Sequence, residues 1–190
     1  PFAVLGCYSF PAHVGVQHPD TPLGIELPTL LESLRTEFPE ADIEYVPGTT
    51  IDGGETAGIS AAVDAAARAD VVIVALGDRA GLFGRGTSGE GCDVESLRLP
   101  GAQQNLLDAV LATSTPAVVT LLAGRPYALG SAVTGAGAIV QAFFAGEEGT
   151  AALAGILLGV LIKPESSGPS LLPAGNALLS KVCYELYSGM

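Results

Sequence analysis

The chain has 190 residues, enough for one domain with a sizeable core, and its make-up of 48% hydrophobic and 15% charged residues excludes a disordered segment. Eight basic residues against 20 acidic ones give a net charge of -12, so phosphate backbones and anionic membrane surfaces are repelled and neither nucleic acid nor membrane is an expected partner. An acidic surface suits neutral ligands such as sugars, or cations. Calcium is one such cation, although scattered solvated carboxylates are the commoner meaning of such a charge. Cys7, Cys92 and Cys183 are odd in number and widely spaced, which indicates free thiols rather than a disulfide framework or zinc site. With no leader-like opening and no apolar run longer than residues 151–162, a soluble cytoplasmic protein is expected. The opening Pro1-Phe2-Ala3-Val4 reads as if cut from something longer.

In chain order, residues 1–28 carry Pro11, Pro19, Pro22 and Pro28 and read as an irregular crossing segment. His13, His18 and Asp20 lie within it. They lack the helical spacing of a metal pair and read as loop residues. Thr29-Leu30-Leu31-Glu32 is a capping box that opens a helix with Leu30, Leu31, Leu34 and Phe38 on one face, stopped by Pro39. A short strand is expected at 43–46, a glycine-rich turn at 49–58, and a helix at 59–69 with Ile59, Val63 and Ala66 inward. Val71-Val72-Ile73-Val74-Ala75-Leu76-Gly77 is a continuous β-branched run, the mark of a buried parallel strand, and it delivers a glycine-rich charged loop at 78–93. Beyond Leu97-Arg98-Leu99-Pro100-Gly101 a helix carries Leu106, Leu107, Val110 and Leu111. Residues 116–123 and 139–144 read as further buried strands, and the apolar stretch 150–162 as a helix buried on more than one side.

Strands alternating with helices, each buried strand ending in a polar glycine-containing loop, predict an α/β class fold. Its form is a three-layer α/β/α sandwich around a mostly parallel sheet with right-handed crossovers. The sandwich is expected over 1–162, with 163–190 an atypical tail left unassigned. The loops at 77–93, 124–127 and 146–149 then share the rim at the carboxyl ends of the strands, where such folds bind ligands.

Several rim residues carry chemistry. Glu90 stands between Gly89 and Gly91, on backbone free to bring a carboxyl against a ligand as a general acid, or simply to leave it solvated. Asp78 closes the first strong strand, placed to bond sugar hydroxyls or to pair with Arg79; Arg85 is placed to hold a ligand or to neutralise Asp93. Glu147 and Glu148 precede a helix, where the dipole favours them. Gly86-Thr87-Ser88-Gly89-Glu90 approaches a nucleophile elbow but lacks the closing glycine. Gly84-Arg85-Gly86-Thr87-Ser88-Gly89 matches a dinucleotide fingerprint only as a string, since it begins seven residues after the strand and leads into more loop.

Four motifs in order, Ala69-Asp70-Val71-Val72-Ile73-Val74-Ala75-Leu76-Gly77, Ser88-Gly89-Glu90-Gly91-Cys92-Asp93, Leu97-Arg98-Leu99-Pro100-Gly101-Ala102-Gln103 and Ala145-Gly146-Glu147-Glu148-Gly149, resemble the second domain of family 3 glycoside hydrolases, the β-glucosidase and β-xylosidase group. Gly6-Cys7-Tyr8-Ser9 and Pro28-Thr29-Leu30-Leu31 fit it as well. The resemblance implies a sandwich packed beside a TIM-like barrel, a barrel aspartate as nucleophile of a retaining mechanism, and Glu90 as acid/base. Asp78, Arg79, Arg85 and Asp93 are expected to contact the carbohydrate substrate, and no cofactor or metal is implied. Two departures stand out. Val94 occupies a place where arginine often follows the motif, and Lys163-Pro164-Glu165-Ser166-Ser167-Gly168-Pro169 replaces the family's usual continuation.

No barrel is encoded in these residues, so the chain alone is expected to hydrolyse β-glycosides poorly or not at all. Two other readings are an ester or lactone hydrolase using Ser88 or a carboxylate-bound metal, and a non-catalytic carbohydrate-binding or assembly module. With the expected first strand lying before Pro1, an open sheet edge is expected to favour self-association.

Overall fold

A computed structural model describes residues 2–161, so the tail at 163–190 and Cys183 lie outside the described residues. The elements are a 3₁₀ turn at Phe2–Val4, α1 (Phe10–Gln17), α2 (Leu30–Glu37), α3 (Ile59–Ala66), β1 (Val72–Gly77), α4 (Gln103–Leu111), β2 (Ala117–Leu122), α5 (Ala132–Gly135), β3 (Ala138–Gln141) and α6 (Gly149–Leu161). The sheet runs β1-β2-β3, all parallel, with Val72 opposite Ala117 and Val118 opposite Ala138.

Alternation along the strands divides the core in two. Val71, Ile73, Ala75, Val118 and Leu122 pack with Leu30 and Leu34 of α2 and with Leu153, Leu157 and Leu161 of α6. Val72, Val74, Leu76, Val119 and Leu121 pack on the other face with Ala62, Ala65 and Ala66 of α3 and Leu106, Leu107 and Val110 of α4. A sheet buried on both faces by helices is the expected α/β/α sandwich, and every position of β1 and β2 is buried. Among the described residues no helix is long and apolar enough to cross a membrane.

The capping box forms as the sequence predicts: the Thr29 hydroxyl accepts from the Glu32 N–H (3.2 Å) and Glu32 Oε2 accepts from the Thr29 N–H (2.7 Å). Five local expectations are corrected. Residues 10–17 form a helix because Pro11 falls in its first turn, where a missing N–H costs nothing, so His13 is helical and His18 caps the end. Residues 43–46 are assigned to no ladder; Ile43 packs on one core layer and Val46 on the other, which satisfies their apolar side chains without a strand. α3 buries Ala62, Ala65 and Ala66 rather than Val63, its small residues lying nearest the sheet. The third strand is shorter than expected and only half-buried, with Ile139 39% exposed. α6, too, buries one face only, leaving Ala151, Ala152, Gly155, Ile156 and Gly159 exposed.

Candidate active site

The site grows from the end of β1. Gly77 has φ 151°, and a Cβ there would come within 2.0 Å of the Leu122 carbonyl, so only glycine lets β1 and β2 stay this close as the chain turns out of the sheet. The turn is fixed by Gln103, at the start of α4. Its Oε1 accepts from the Gly77 N–H (2.8 Å), while its Nε2 donates to the carbonyls of Gly77 (2.8 Å) and Ile51 (2.7 Å).

Asp78 follows with 0% exposure, and its carboxylate is a hub. Oδ2 accepts from the Gly124 N–H (2.9 Å), and Oδ1 accepts from the Thr87 hydroxyl (2.7 Å) and from the Tyr127 hydroxyl. Three donors compensate the burial of the charge. Burial first, and then the bond to Asp78, push the Tyr127 phenol well above its ordinary value, so it remains a donor. Asp78 therefore ties together the end of β1, the middle of the 78–93 loop and the turn after β2. Arg79 turns away and pairs with Asp52 (2.5 Å), and its Nε–H has no partner among the described residues. The alternative pairing of Asp78 with Arg79 is not what the structure contains.

The rest of the loop folds on itself. The Gly81 N–H donates to the Ser88 carbonyl (2.9 Å) and the Thr87 N–H to the Arg79 carbonyl (2.9 Å). Arg125, from the turn after β2, donates from Nη2 to the Cys92 carbonyl (2.8 Å). Between these ties Gly89 and Gly91 adopt φ 124° and 72°, conformations that carry Glu90 outward on a kinked tip. Glu90 is exposed, and its Oε2 accepts from the Tyr8 hydroxyl. Arg85 and Asp93 are both exposed and do not pair with each other among the described residues.

Beside Glu90 opens a shallow cleft of about 650 Å³ lined by residues 6–9, Ser88, Gly89, Gly124, Arg125 and Phe144. Of the expected rim, the first two loops contribute. The turn at 146–149 instead leads into α6, tied back through the Gly146 N–H to the Val4 carbonyl (2.8 Å). Ser88 is buried on the cleft wall with no histidine bonded to it, and no group of three His, Cys, Asp or Glu side chains suited to a metal occurs among the described residues.

Glu90, Asp78, Arg79, Arg85 and Asp93 thus all belong to one loop; of these the exposed Glu90 follows the cleft-lining Gly89 and is bonded by the cleft-lining Tyr8, while Asp78 is buried. Sequence reasoning assigned no role to Tyr8, Gln103, Arg125 or Tyr127. For Arg125 and Tyr127 the signal was available, since Gly124-Arg125-Pro126-Tyr127 ends a buried strand; for Tyr8, 82 residues from Glu90, no spacing rule applies.

Comparison with known proteins places this geometry. The model of the glycosyl hydrolase family 3 C-terminal domain matches residues 2–168. A periplasmic β-glucosidase of Salmonella typhimurium is 38% identical over 101 residues, 53% of this chain and 12% of that protein. A β-xylosidase of Formosa agariphila is 29% identical over 132 residues, 69% of this chain and 18% of that protein. Among solved structures, a β-glucosidase from Listeria innocua in complex with isofagomine superposes with a TM-score of 0.60 at 28% identity, covering 70% of this chain and 18% of that one. An exo-β-xylosidase in complex with a xylobiose aziridine activity-based probe superposes with a TM-score of 0.59 at 26% identity, covering 73% and 17%. The chain spans less than a fifth of the length of each of these proteins. A matched family model across most of the chain, on a sandwich whose kinked rim loop carries the Ser-Gly-Glu-Gly motif, establishes that the chain belongs to the glycosyl hydrolase family 3 C-terminal domain family.

Proposed function

We propose that this chain supplies the acid/base half of a retaining β-glycosidase site for terminal β-D-glucosides or β-D-xylosides, the nucleophilic carboxylate coming from a barrel domain joined to it. The observation that carries the reading is the placement of Glu90, exposed between two left-handed glycines, the first of which lines the cleft, on a loop held at both flanks. The relatives named β-glucosidase and β-xylosidase support the same class of bond.

In the first step Glu90, protonated, gives its proton to the glycosidic oxygen as the bond to the anomeric carbon breaks and the barrel carboxylate bonds to that carbon. In the second, the Glu90 carboxylate takes a proton from water as the water oxygen displaces the barrel carboxylate. Arg85 and Asp93, exposed on the same loop, contact the sugar; Arg79 acts indirectly through its ion pair with Asp52, and Asp78 acts from below by fixing that loop. Both carboxylates are needed about 5 Å apart, so the chain alone is weakly active or inactive.

Two assays test this. The purified 190-residue protein is expected to leave an aryl β-glucoside and an aryl β-xyloside essentially uncleaved; substantial turnover abolished by Glu90→Gln would overturn the requirement for a second domain. Joined to a family 3 barrel, the chain is expected to restore turnover, and Glu90→Gln to lower it by about 10²- to 10⁴-fold. Unchanged turnover in that variant would remove Glu90 from the mechanism.

A further inference from the structure

Tyr8 is the partner of the Glu90 carboxylate among the described residues, and the fold brings it there by deliberate packing. Val4 and Leu5, just before it, are buried, and the Val4 carbonyl accepts from the Gly146 N–H, so the segment is anchored in the core. A tight turn closed by the Ser9 N–H on the Gly6 carbonyl (3.0 Å) then projects Tyr8 outward. Opposite, Gly89 lies so near this segment that a Cβ on it would approach Cys7 Cβ and Sγ to 3.1 Å. The segment at 6–9 and the tip of the Glu90 loop are therefore one packed unit, two walls of the same cleft.

The side chain itself is 71% exposed. An aromatic ring left in solvent while its hydroxyl reaches a specific carboxylate oxygen is not placed for core packing. The bond occupies Oε2, and Oε1 of Glu90 takes no part in it. We infer that Tyr8 is a positioning residue for Glu90: its hydroxyl donates to Oε2, keeps the carboxylate turned to the cleft mouth, and leaves Oε1 as the oxygen that gives and takes the proton. This rests on the acid/base reading of Glu90. Tyr8 keeps its own proton throughout the cycle. The hydrogen bond to Glu90, with smaller contributions from desolvation and the Glu90 charge, holds the Tyr8 phenol above its ordinary value, consistent with a permanent donor.

The pair is tested in the isolated chain and its role in the barrel-joined protein. The ultraviolet phenolate titration of the 190-residue protein minus that of Tyr8→Phe isolates one of the five tyrosines. It is expected to titrate above the ordinary value of about 10, and to return to it in Glu90→Gln. A Tyr8 phenol that titrates normally in the wild-type protein, or is unmoved by Glu90→Gln, would overturn the pairing.

For the role, leaving groups of different acidity are compared. Poor leaving groups need the general acid in the first step, whereas dinitrophenolate departs without it, so in kcat/KM, which reports that step alone, a structural collapse slows both substrates and a misplaced acid slows only the one with the poor leaving group. Tyr8→Phe is expected to lower kcat/KM for an alkyl β-glucoside about tenfold, the order of one hydrogen bond to a charged group, with little change for the dinitrophenyl substrate. Equal kcat/KM for both proteins on the alkyl substrate would overturn the role of Tyr8 even where Glu90→Gln shows the full leaving-group dependence. If Glu90→Gln itself lacks that dependence, the acid/base reading fails first, and the inferred role of Tyr8 fails with it.

Discussion

At the scale of single residues the site depends on backbone conformations that only glycine supplies cheaply. Gly89 combines φ 124° with a Cβ position 2.1 Å from the Gly81 carbonyl, so Gly89→Ala meets both strain and collision. It is expected to cost at least about 2 kcal/mol, read as a lower urea midpoint. Gly146→Ala is the control: φ is 80° but the space is open, and only the left-handed penalty of about 1 kcal/mol should appear. An equal loss in the two variants would show that the loop yields and the close approach matters little. Tyr127→Phe removes one donor from the buried Asp78 carboxylate and is expected to cost about 2 kcal/mol at neutral pH. Because the folded phenol titrates above its unfolded value, that contribution is complete below about pH 10 and fades as the pH climbs toward the folded value. The stability gap between wild type and Tyr127→Phe should therefore narrow at alkaline pH, and a gap that stays constant would mean that the phenol is not the linked group. The exposed position of Glu90 on a kinked tip was legible at this scale from Gly89 and Gly91. Its partner Tyr8 was not, because the contact joins residues 82 apart through tertiary packing alone.

At the scale of elements, burial decides which local signals survive. β1 and β2 were readable as unbroken apolar runs, since a parallel strand covered by helices on both faces has no polar side to display. α2 was readable because its cap is written into four consecutive residues. Thr29→Ala should cost about 1 kcal/mol of folding stability, measured by denaturant titration, and a neutral result would show that the packing of Leu30 and Leu34 alone holds the helix. The cap also carries a pH signature. Backbone and hydroxyl bonds from Thr29 hold the Glu32 carboxyl below its usual range, so its contribution is complete above the unfolded value of about 4.3 and is lost as the pH falls through the folded one. Signals failed where an apolar residue had two possible uses. Ile43 and Val46 looked like a strand and pack as loop residues, and α6, apolar throughout, keeps one face uncovered among the described residues. Neither outcome follows from periodicity, because each depends on which neighbour lies alongside.

At the scale of the whole molecule, the sheet ends at β3, and no strand pairs with its outer edge among the described residues. The edge is short but poorly guarded: β3 reads Ala138-Ile139-Val140-Gln141 with no charge or proline, Ile139 is 39% exposed, and Phe143 just beyond it is exposed at φ 53°. Natural sheets block such edges with lysine, proline or a covering element, and unblocked ones recruit another chain. Opposing this is a net charge of -12, which makes two copies repel. The balance depends on salt, since Coulomb repulsion between surfaces is screened within about 8 Å at physiological ionic strength while hydrogen bonding and apolar contact across an edge are not. The isolated chain is therefore expected to self-associate as its concentration rises, and more strongly at higher salt, as measured by light scattering. Ile139→Lys places a charge on the edge strand at a position 39% exposed, opposite Val119 of β2, and should return the protein to monomer with its unfolding midpoint little changed. A molecule that stays monomeric across concentration in high salt would show that the β3 edge is too short to pair. Association that weakens as salt is added would place the contact elsewhere, between charged surfaces.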